Sequence, residues 1–599
     1  MFKIDEKIER LLSAETPSWW EASGYGKEFY VKLSEPIVRQ AVEWQDKDGR
    51  IIDPFVHKET STVTPRFVGA LSFLIRAGKC LDLIDVCIKS MSAGCADLYN
   101  AKNIKAISGP EFYVKELMSG YMALEKYADA SLIKQWRKDL GEYNAEETYA
   151  ATLAKKKAED IHNFCTFAMA GEAFKKKYGI SGDDDFIDRY MEIQKCRFTE
   201  LGMYRDPNNP MTYDGVSRMN MALMLHFGYN GRHYAFADEM LRRGALTMLL
   251  YMSPAGECPY GGRSNQQNFN EAMISLLCEY EASRYKKLGN MKLAGTFKRM
   301  AKLSALSVER WLSMSPVRFT KNSFPADSQH GRQKGYGFYG AYSLLIASQF
   351  GFAHLLADDT IEEQPAPCEN GSYILHLDKD FHKVFATCRG YHLEIDTNAD
   401  FHYDSSGLGR IHRKDVPTEL ALSCPITASP GYLVSCDTAP RNVSTGPGWL
   451  ADDGTMRWLA DFSNEKDSAS MEIIEENPDT VAFKLEYKNL KNCDGIIEEY
   501  RIDKDGIQIT ESIENYDKEF FVQIPLLDTD GMNKSEIKID GNAFLVKYKN
   551  CAYRVECVYP ENVKLLIEDF DAPNRNGIYK VGLLKAKSKT IKYKITLIS

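Results

Sequence analysis

The sequence predicts a multidomain α and β protein: an N-terminal (α/α) toroid of about six helix hairpins over residues 1–358, then a C-terminal antiparallel β-sandwich over residues 359–599. Three observations carry this. From about Lys27 to Asp358 the apolar residues recur at helical spacing, whereas beyond Gln364 the period shortens to two and Asp-Gly turn signals become frequent. The switch falls at QPAPCENG, Gln364 to Gly371. Third, the links between helical segments alternate between long polar loops and tight turns, and a ring of antiparallel hairpins gathers alternate links at opposite ends.

Taken in order, about twelve helical segments lie near 28–46, 65–78, 79–97, 110–127, 130–143, 158–178, 184–201, 213–228, 233–252, 267–288, 290–314 and 336–357. The run FKRMAKLSALSVERWL, Phe297 to Leu312, shows the period well. The links into the eighth, tenth and twelfth segments are GMYRDPNNPM, SPAGECPYGGRSNQ and SPVRFTKNSFPADSQHGRQKG, while those into the ninth and eleventh are YNGR and LGN. The long loops therefore share one rim. VHKETSTVTPR (Val56 to Arg66) and EDIHNF (Glu159 to Phe164) also lead into even-numbered segments and join it. In the second region TVAFKLEYKN, Thr480 to Asn489, alternates as a strand, and DKDG, DGN and NRNG mark hairpins at Asp503, Asp540 and Asn574. The run HLEIDTNADFHYDSSGLGRIHRKDVPTEL, His392 to Leu420, is too long and polar for a hairpin connection and is expected at the domain interface.

Composition narrows the function. A chain of 599 residues with 44% hydrophobic and 27% charged residues is a soluble globular protein. Its net charge of −9 argues against a nucleic-acid partner held by phosphate neutralisation and leaves room for a local basic site. No apolar run nears the roughly 20 residues of a membrane span, and MFKIDEKIERLLSAETPSWW lacks the apolar core of a signal peptide. The 14 cysteines show no CxxC pair and no zinc spacing, so they read as small buried hydrophobes in a reducing, cytoplasmic setting. No spacing demands a metal or a cofactor. Self-association into a homo-oligomer is left open.

The stretch PYGGRSNQQNFNEA, Pro259 to Ala272, puts Arg263, Asn265, Gln266, Asn268, Asn270 and Glu271 where a loop becomes a helix. Ser264 and Gln267 stand at capping-box spacing, leaving the others over. TYDGVSRMN repeats the pattern with Tyr213, Asp214 and Arg218, and SQHGRQKGYGFYGAYS adds His330, Arg332, Lys334, Tyr336, Tyr339 and Tyr342. His162 joins from EDIHNF and His412 from GLGRIHRK. Helix starts, Arg and Lys on one rim favour an anionic ligand. Aromatic and amide groups beside them suit a sugar ring, so a uronic-acid glycan is expected. Each residue also has a plain structural reading: Asp214 as a cap paired at i,i+4 with Arg218, Glu271 as a solvent-facing acid, His330 as a hydrogen-bonded histidine, the tyrosines as core.

With GGRSNQQNFNEA, SQHGRQKGYGFYGAYS and GLGRIHRK on its rim, this order of ring and sandwich resembles the toroid-plus-sandwich polysaccharide lyases, including the heparinase II/III-like group, and also glycoside hydrolase family 154. What the resemblance implies is β-elimination at a uronic acid of an oligosaccharide. Arg263, Asn265 and Gln266 would neutralise the carboxylate, His330, Tyr336 and Tyr339 would serve as base and acid, and His412 would reach in from the sandwich. Tyr213, Arg218, Arg332 and His162 would complete the substrate site. The alternative is an exo-acting, β-glucuronidase-like hydrolase with two carboxyl groups about 5 Å apart for retention or up to about 9 Å for inversion. Asp214, Glu257, Glu271 and Asp404 are the acids available to it. The tyrosine-rich segment has no acid after Asp327, which tilts the expectation toward elimination. A non-catalytic glycan-binding protein is the third class.

Overall fold

The computed structural model describes residues 3–60, 62–101, 109–149, 153, 156–377, 379–463, 469–490 and 493–599. Its helices are α1 (Lys3–Ser13), α2 (Glu28–Val42), α3 (Val63–Arg76), α4 (Ile84–Asn100), α5 (Tyr113–Leu124), α6 (Ala130–Gly141), α7 (Ala145–Thr148) and α8 (Phe164–Lys177). They continue with α9 (Asp184–Gln194), α10 (Met211–His226), α11 (Tyr234–Tyr251), α12 (Phe269–Lys287), α13 (Met291–Leu312), α14 (Tyr339–Leu356) and the short α15 (Pro367–Asn370). Every one of the twelve expected segments is present; α1, α7 and α15 were not foreseen.

The toroid closes. Helix α3 packs on α5, α5 on α8, α8 on α10, α10 on α12, α12 on α14, and α14 returns to α3. These six are the even-numbered segments of the sequence reading, and the others form the outer layer. Inner helices are buried on every face: in α10 only Tyr213 and the terminal His226 are not buried. The ring is tight enough to need glycine at its contacts. A Cβ on Gly215 would lie 2.4 Å from Met273 of α12, and one on Gly171 would lie 2.7 Å from Val114 of α5.

Where helix starts differ from expectation, the difference is at the rim. Helix α12 begins at Phe269 because Ser264 and Gln266 adopt left-handed φ of 65° and 57°, and Asn268 caps it without a side-chain bond. The expected Ser264–Gln267 capping box is therefore absent. Helix α14 begins at Tyr339, after Gly335 and Gly337 with φ of 81° and 77°.

From Tyr373 onward the chain is antiparallel β. Strands β1 (Tyr373–Leu377), β2 (Lys383–Cys388), β3 (Tyr391–Asp396) and β4 (Gly407–Arg413) form a four-stranded sheet in that order. The remaining strands are β5 (Gly446–Leu450), β6 (Met456–Trp458), β7 (Ser470–Glu476), β8 (Val481–Lys488), β9 (Gly495–Asp503), β10 (Gly506–Ile513) and β11 (Phe520–Thr529). They end with β12 (Glu536–Asp540), β13 (Ala543–Tyr548), β14 (Cys551–Tyr559), β15 (Lys564–Ile567), β16 (Ala572–Pro573), β17 (Ile578–Ala586) and β18 (Thr590–Ile598). An eight-stranded sheet, β12-β13-β14-β18-β10-β9-β8-β7, and a six-stranded sheet, β15-β17-β11-β5-β6 with β16 on β17, make the sandwich.

The four-stranded sheet is the element the sequence reading did not separate. Its strands are buried almost throughout. Val384, Ala386, Leu393 and Ile411 belong to the sandwich core, while Leu375, Leu377 and Phe385 belong to the helical core. Alternation along a strand sends neighbours to opposite faces, so this sheet is the middle layer between toroid and sandwich. Two of its strands come from the polar His392 to Leu420 run. Among the described residues no helix is long and apolar enough to cross a membrane, and the 14 cysteines are all unpaired.

Candidate active site

A cavity of about 600 Å³ opens at the N-terminal ends of the inner helices. All six contribute: Thr62 and Arg66 at α3, Gly109 and Phe112 ahead of α5, His162, Asn163, Phe164 and Phe167 at α8, Pro207, Tyr213 and Val216 at α10, Arg263 and Phe269 at α12, and Tyr336, Phe338, Tyr342 and Leu345 at α14. The ring topology alone brings these segments together. Backbone strain gathers at the same rim: Thr62, Asn208, Asn209, Ser264 and Gln266 are non-glycine residues with φ between 43° and 71°. Such conformations cost energy and concentrate at functional sites.

Of the residues expected from the sequence, the cavity brings together Tyr213, Arg263, Tyr336 and His162. Ser264 Oγ joins the two tyrosines, lying 2.9 Å from Tyr336 Oη and 3.4 Å from Tyr213 Oη. The Arg263 guanidinium lies 4.3 Å from the centre of the Tyr213 ring. Burial, with Tyr213 and Tyr342 close by, raises the Tyr336 phenol above its ordinary range, so it keeps its proton.

Asp206 holds this wall in place, and the sequence reading did not single it out. It is 1% exposed and receives the Asn163 amide at 2.8 Å, the Asn163 backbone N–H at 3.2 Å and His162 Nδ1 at 3.3 Å. It also pairs with Arg263. Burial works to raise its carboxyl, but the hydrogen bond from His162, the charge of Arg263 and the Asn163 amide outweigh it and hold it below its usual value. His162 Nδ1 lies between the Asn163 amide nitrogen at 3.1 Å and Asp206 Oδ1 at 3.3 Å, and Nε2 bonds no described residue. The signal for Asp206 was DPNNP, a turn motif inside a link already assigned to the rim.

The other candidates lie elsewhere. Asp214 and Arg218 form a fully buried ion pair at 2.6 Å, with Tyr204 N–H donating to Asp214 at 2.8 Å. Glu271 is not solvent-facing: it is buried, bonded to Lys321 at 2.7 Å and to Cys258 N–H at 2.9 Å. His330 donates from Nε2 to the Asn574 carbonyl at 2.7 Å, accepts the Ser435 N–H at 3.0 Å and stacks on Phe324. Burial lowers it to about 4, so it is a neutral tie between the two halves of the chain. Tyr339 donates to the Val317 carbonyl at 2.6 Å within a cluster of Trp44, Phe55 and Phe319. Arg332 stands behind the cavity wall, over Phe338. Asn265 and Gln266 are buried beneath the rim, donating to the Gly262 carbonyl and accepting from Asn576 respectively. His412 lies between Ser253 and Ser423 in the middle layer. The Asp214–Arg218 pair is the i,i+4 contact that the plain structural reading named, whereas Glu271, His330, Tyr339, Gln266 and His412 are held by partners distant in sequence, which spacing cannot display.

The sandwich side reaches the rim through the loop between β3 and β4. Asp404 accepts the Gly262 N–H at 2.6 Å, and burial together with Asp400 raises the Tyr403 phenol against the opposing charge of Arg263. No group of three or more metal-ligating side chains occurs among the described residues.

No family model and no curated protein matches the chain. Solved structures do. Heparinase III aligns at a TM-score of 0.53 and 9% identity, covering 100% of this chain and 89% of that one. The heparan sulfate lyase HepC from Pedobacter heparinus aligns at 0.47 and 9%, covering 100% and 87%. An unsaturated glucuronyl hydrolase mutant from Streptococcus agalactiae aligns at 0.38 and 9%, covering 54% of this chain and 91% of its own. At such identity the likeness is one of fold, and the fold it shows is the helical toroid followed by antiparallel sheets of heparinase III, as the resemblance read from the sequence implied.

Proposed function

We propose that this protein is a carbohydrate-active enzyme that cleaves oligosaccharides at a uronic acid by β-elimination, within the cavity at the inner-helix N-termini. The observation that carries the reading is the His162–Asp206 pair facing the same cavity as Tyr336. This reading assigns His162 the tautomer with its proton on Nδ1, toward Asp206, which leaves Nε2 to remove the C5 proton alpha to the sugar carboxylate. The C5–H electrons form the C4–C5 double bond and the C4–O bond breaks. Tyr336, which burial keeps protonated, gives its proton to the leaving oxygen. Tyr213 and Ser264 continue the hydrogen-bond path from it.

Hydrolysis is supported less well. It needs two carboxyl groups across the bond, and no described lining residue is an acid. The chain just before Gly109, KNIKAIS at 102–108, lies outside the described residues and carries none in sequence. Asp206 is committed to three partners, and Asp214 and Glu271 are sealed in ion pairs. Unpaired cysteines, most of them buried, support a reducing cytoplasmic setting and imported oligosaccharides as substrates.

The test is to incubate the purified protein with uronate-containing oligosaccharides in oxygen-labelled water. Elimination leaves a product with the ultraviolet absorbance of a 4,5-unsaturated uronate and no labelled oxygen. Labelled oxygen at the anomeric carbon, without that absorbance, would establish a hydrolase instead.

A further inference from the structure

We infer that Arg66, rather than Arg263, receives the carboxylate of the bound sugar, and that the inner end of the cavity selects a ligand bearing one carboxylate and no second charge. This rests on the uronate reading above. Arg66 is the fourth residue of α3, past Pro65, which the first helical turn tolerates because its N–H has no partner to lose. That position drops its side chain below the rim. It is 7% exposed, its guanidinium lies 5.2 Å from the centre of the Tyr342 ring, and its Nη1 donates to the Ala341 carbonyl at 3.0 Å.

What Arg66 lacks is an acid. It makes no ion pair with any described residue, and Nε and Nη2 donate to none. Glu116, whose charge reaches it, is committed to Lys115 and to Ser348 at 2.6 Å. Burial accordingly lowers its proton affinity. A buried cation without a counter-ion is costly, and a planar carboxylate meeting its free fork in two parallel bonds removes that cost. Arg263 is in the opposite state. Its Nη2 is paired with Asp206 and its Nη1 donates to the Pro207 carbonyl at 2.8 Å.

The surroundings of Arg66 narrow the ligand. Phe167, Val216, Phe269 and Leu345 line the same cavity and have no polar side-chain atom, and Phe269 meets the Tyr342 ring edge-on. A second anionic group, such as a sulfate ester, would be desolvated there without a partner.

The experiment is calorimetric binding of three probes, glucuronate, its methyl ester and glucose 6-sulfate, to the wild type and to Arg66→Gln and Arg263→Gln. Wild type is expected to prefer glucuronate over the ester by roughly 10- to 100-fold, the worth of hydrogen bonds between charged groups. Arg66→Gln abolishes that preference. Arg263→Gln weakens both ligands alike and keeps it. A preference that survives Arg66→Gln and disappears in Arg263→Gln overturns the assignment, and glucose 6-sulfate binding as tightly as glucuronate overturns the carboxylate class. If the wild type itself shows no preference for the acid, the uronate reading fails along with this one. Should Arg66→Gln not fold, Arg66→Lys carries the test, since an ammonium keeps the charge but loses the fork: an undiminished preference there sinks the inference.

Discussion

Lys321 offers the most direct measure of what holds the middle layer to the toroid. Its ammonium lies 3.0 Å from Glu257 and 2.7 Å from Glu271, with all three side chains at most 2% exposed. Thr418 donates to Glu257 at 2.7 Å, tying the sandwich side to the same triad. At an effective dielectric near 20, each contact of this length is worth roughly 6 kcal/mol of Coulomb energy. Most of that offsets the desolvation of three ions. Lys321→Met removes the cation and leaves two carboxylates buried together, a change that typically costs about 3–5 kcal/mol. Urea unfolding followed by far-ultraviolet circular dichroism at about pH 7 should register that loss. The deficit should shrink at about pH 5, because in the variant both acids have raised folded-state pKa values, so stability is recovered as they take up protons. The triple variant Lys321→Met, Glu257→Gln, Glu271→Gln should regain most of the loss, having no uncompensated charge. A loss under about 1 kcal/mol for Lys321→Met, or one that does not change with pH, would refute the view that this triad is a buried, mutually dependent unit.

Three further outcomes are expected. Tyr336→Phe should fold normally and lower turnover by about 10²–10⁴-fold, measured as the rate of unsaturated product. Asp214→Asn should instead destabilise by about 3–5 kcal/mol in urea, by leaving Arg218 buried without its partner, while folded molecules keep their activity. In the sandwich, Glu498 and Glu511 stand opposite each other on β9 and β10, both fully buried, bonded to Tyr500 and Tyr593 at 3.0 Å. Burial raises both and pushes Glu498 up to about 7. A folded-state pKa raised above the unfolded value of about 4.3 means stability that is complete below that value and is lost as pH rises through about 7, by roughly 4 kcal/mol for Glu498 alone. Thermal midpoints should fall across that window, and less steeply in Glu498→Gln, where only Glu511 of the two raised acids remains.

The parts of this molecule that could be read from sequence are those fixed by short-range periodicity and link length. The alternation of YNGR and LGN with long polar links placed the even-numbered helices' N-termini on one rim, and those helices are the inner ring. Side-chain direction at the rim was not legible. Ser264 and Gln266 take left-handed backbone, so Arg263 faces the cavity, Ser264 backs its two tyrosines, and Asn265 and Gln266 turn beneath it. Likewise, His330 and Tyr336 are six residues apart, yet one bonds the Asn574 carbonyl and the other faces the cavity. A period-based reading treats both as members of one polar cluster. Arg66 was passed over for the opposite reason. Its run, VTPRFVGALSFLIR, is buried on every side but its last residue, so no polar face sets the arginine apart.

These failures share a cause. An inner helix of a closed ring has neighbours all round, and its amphipathic signal vanishes where the site is built. What survives in sequence is the direction of the helices, and direction alone supplies part of the chemistry. Each inner helix turns the partial positive charge of its N-terminus toward the cavity, an electrostatic bias toward anions that needs no particular side chain. Asp206 uses that bias from within the protein, and its three partners show how strongly the rim holds a carboxylate. Arg66 lies past the rim, where Asp206 does not reach, and there the same bias is left for a carboxylate that the protein does not provide.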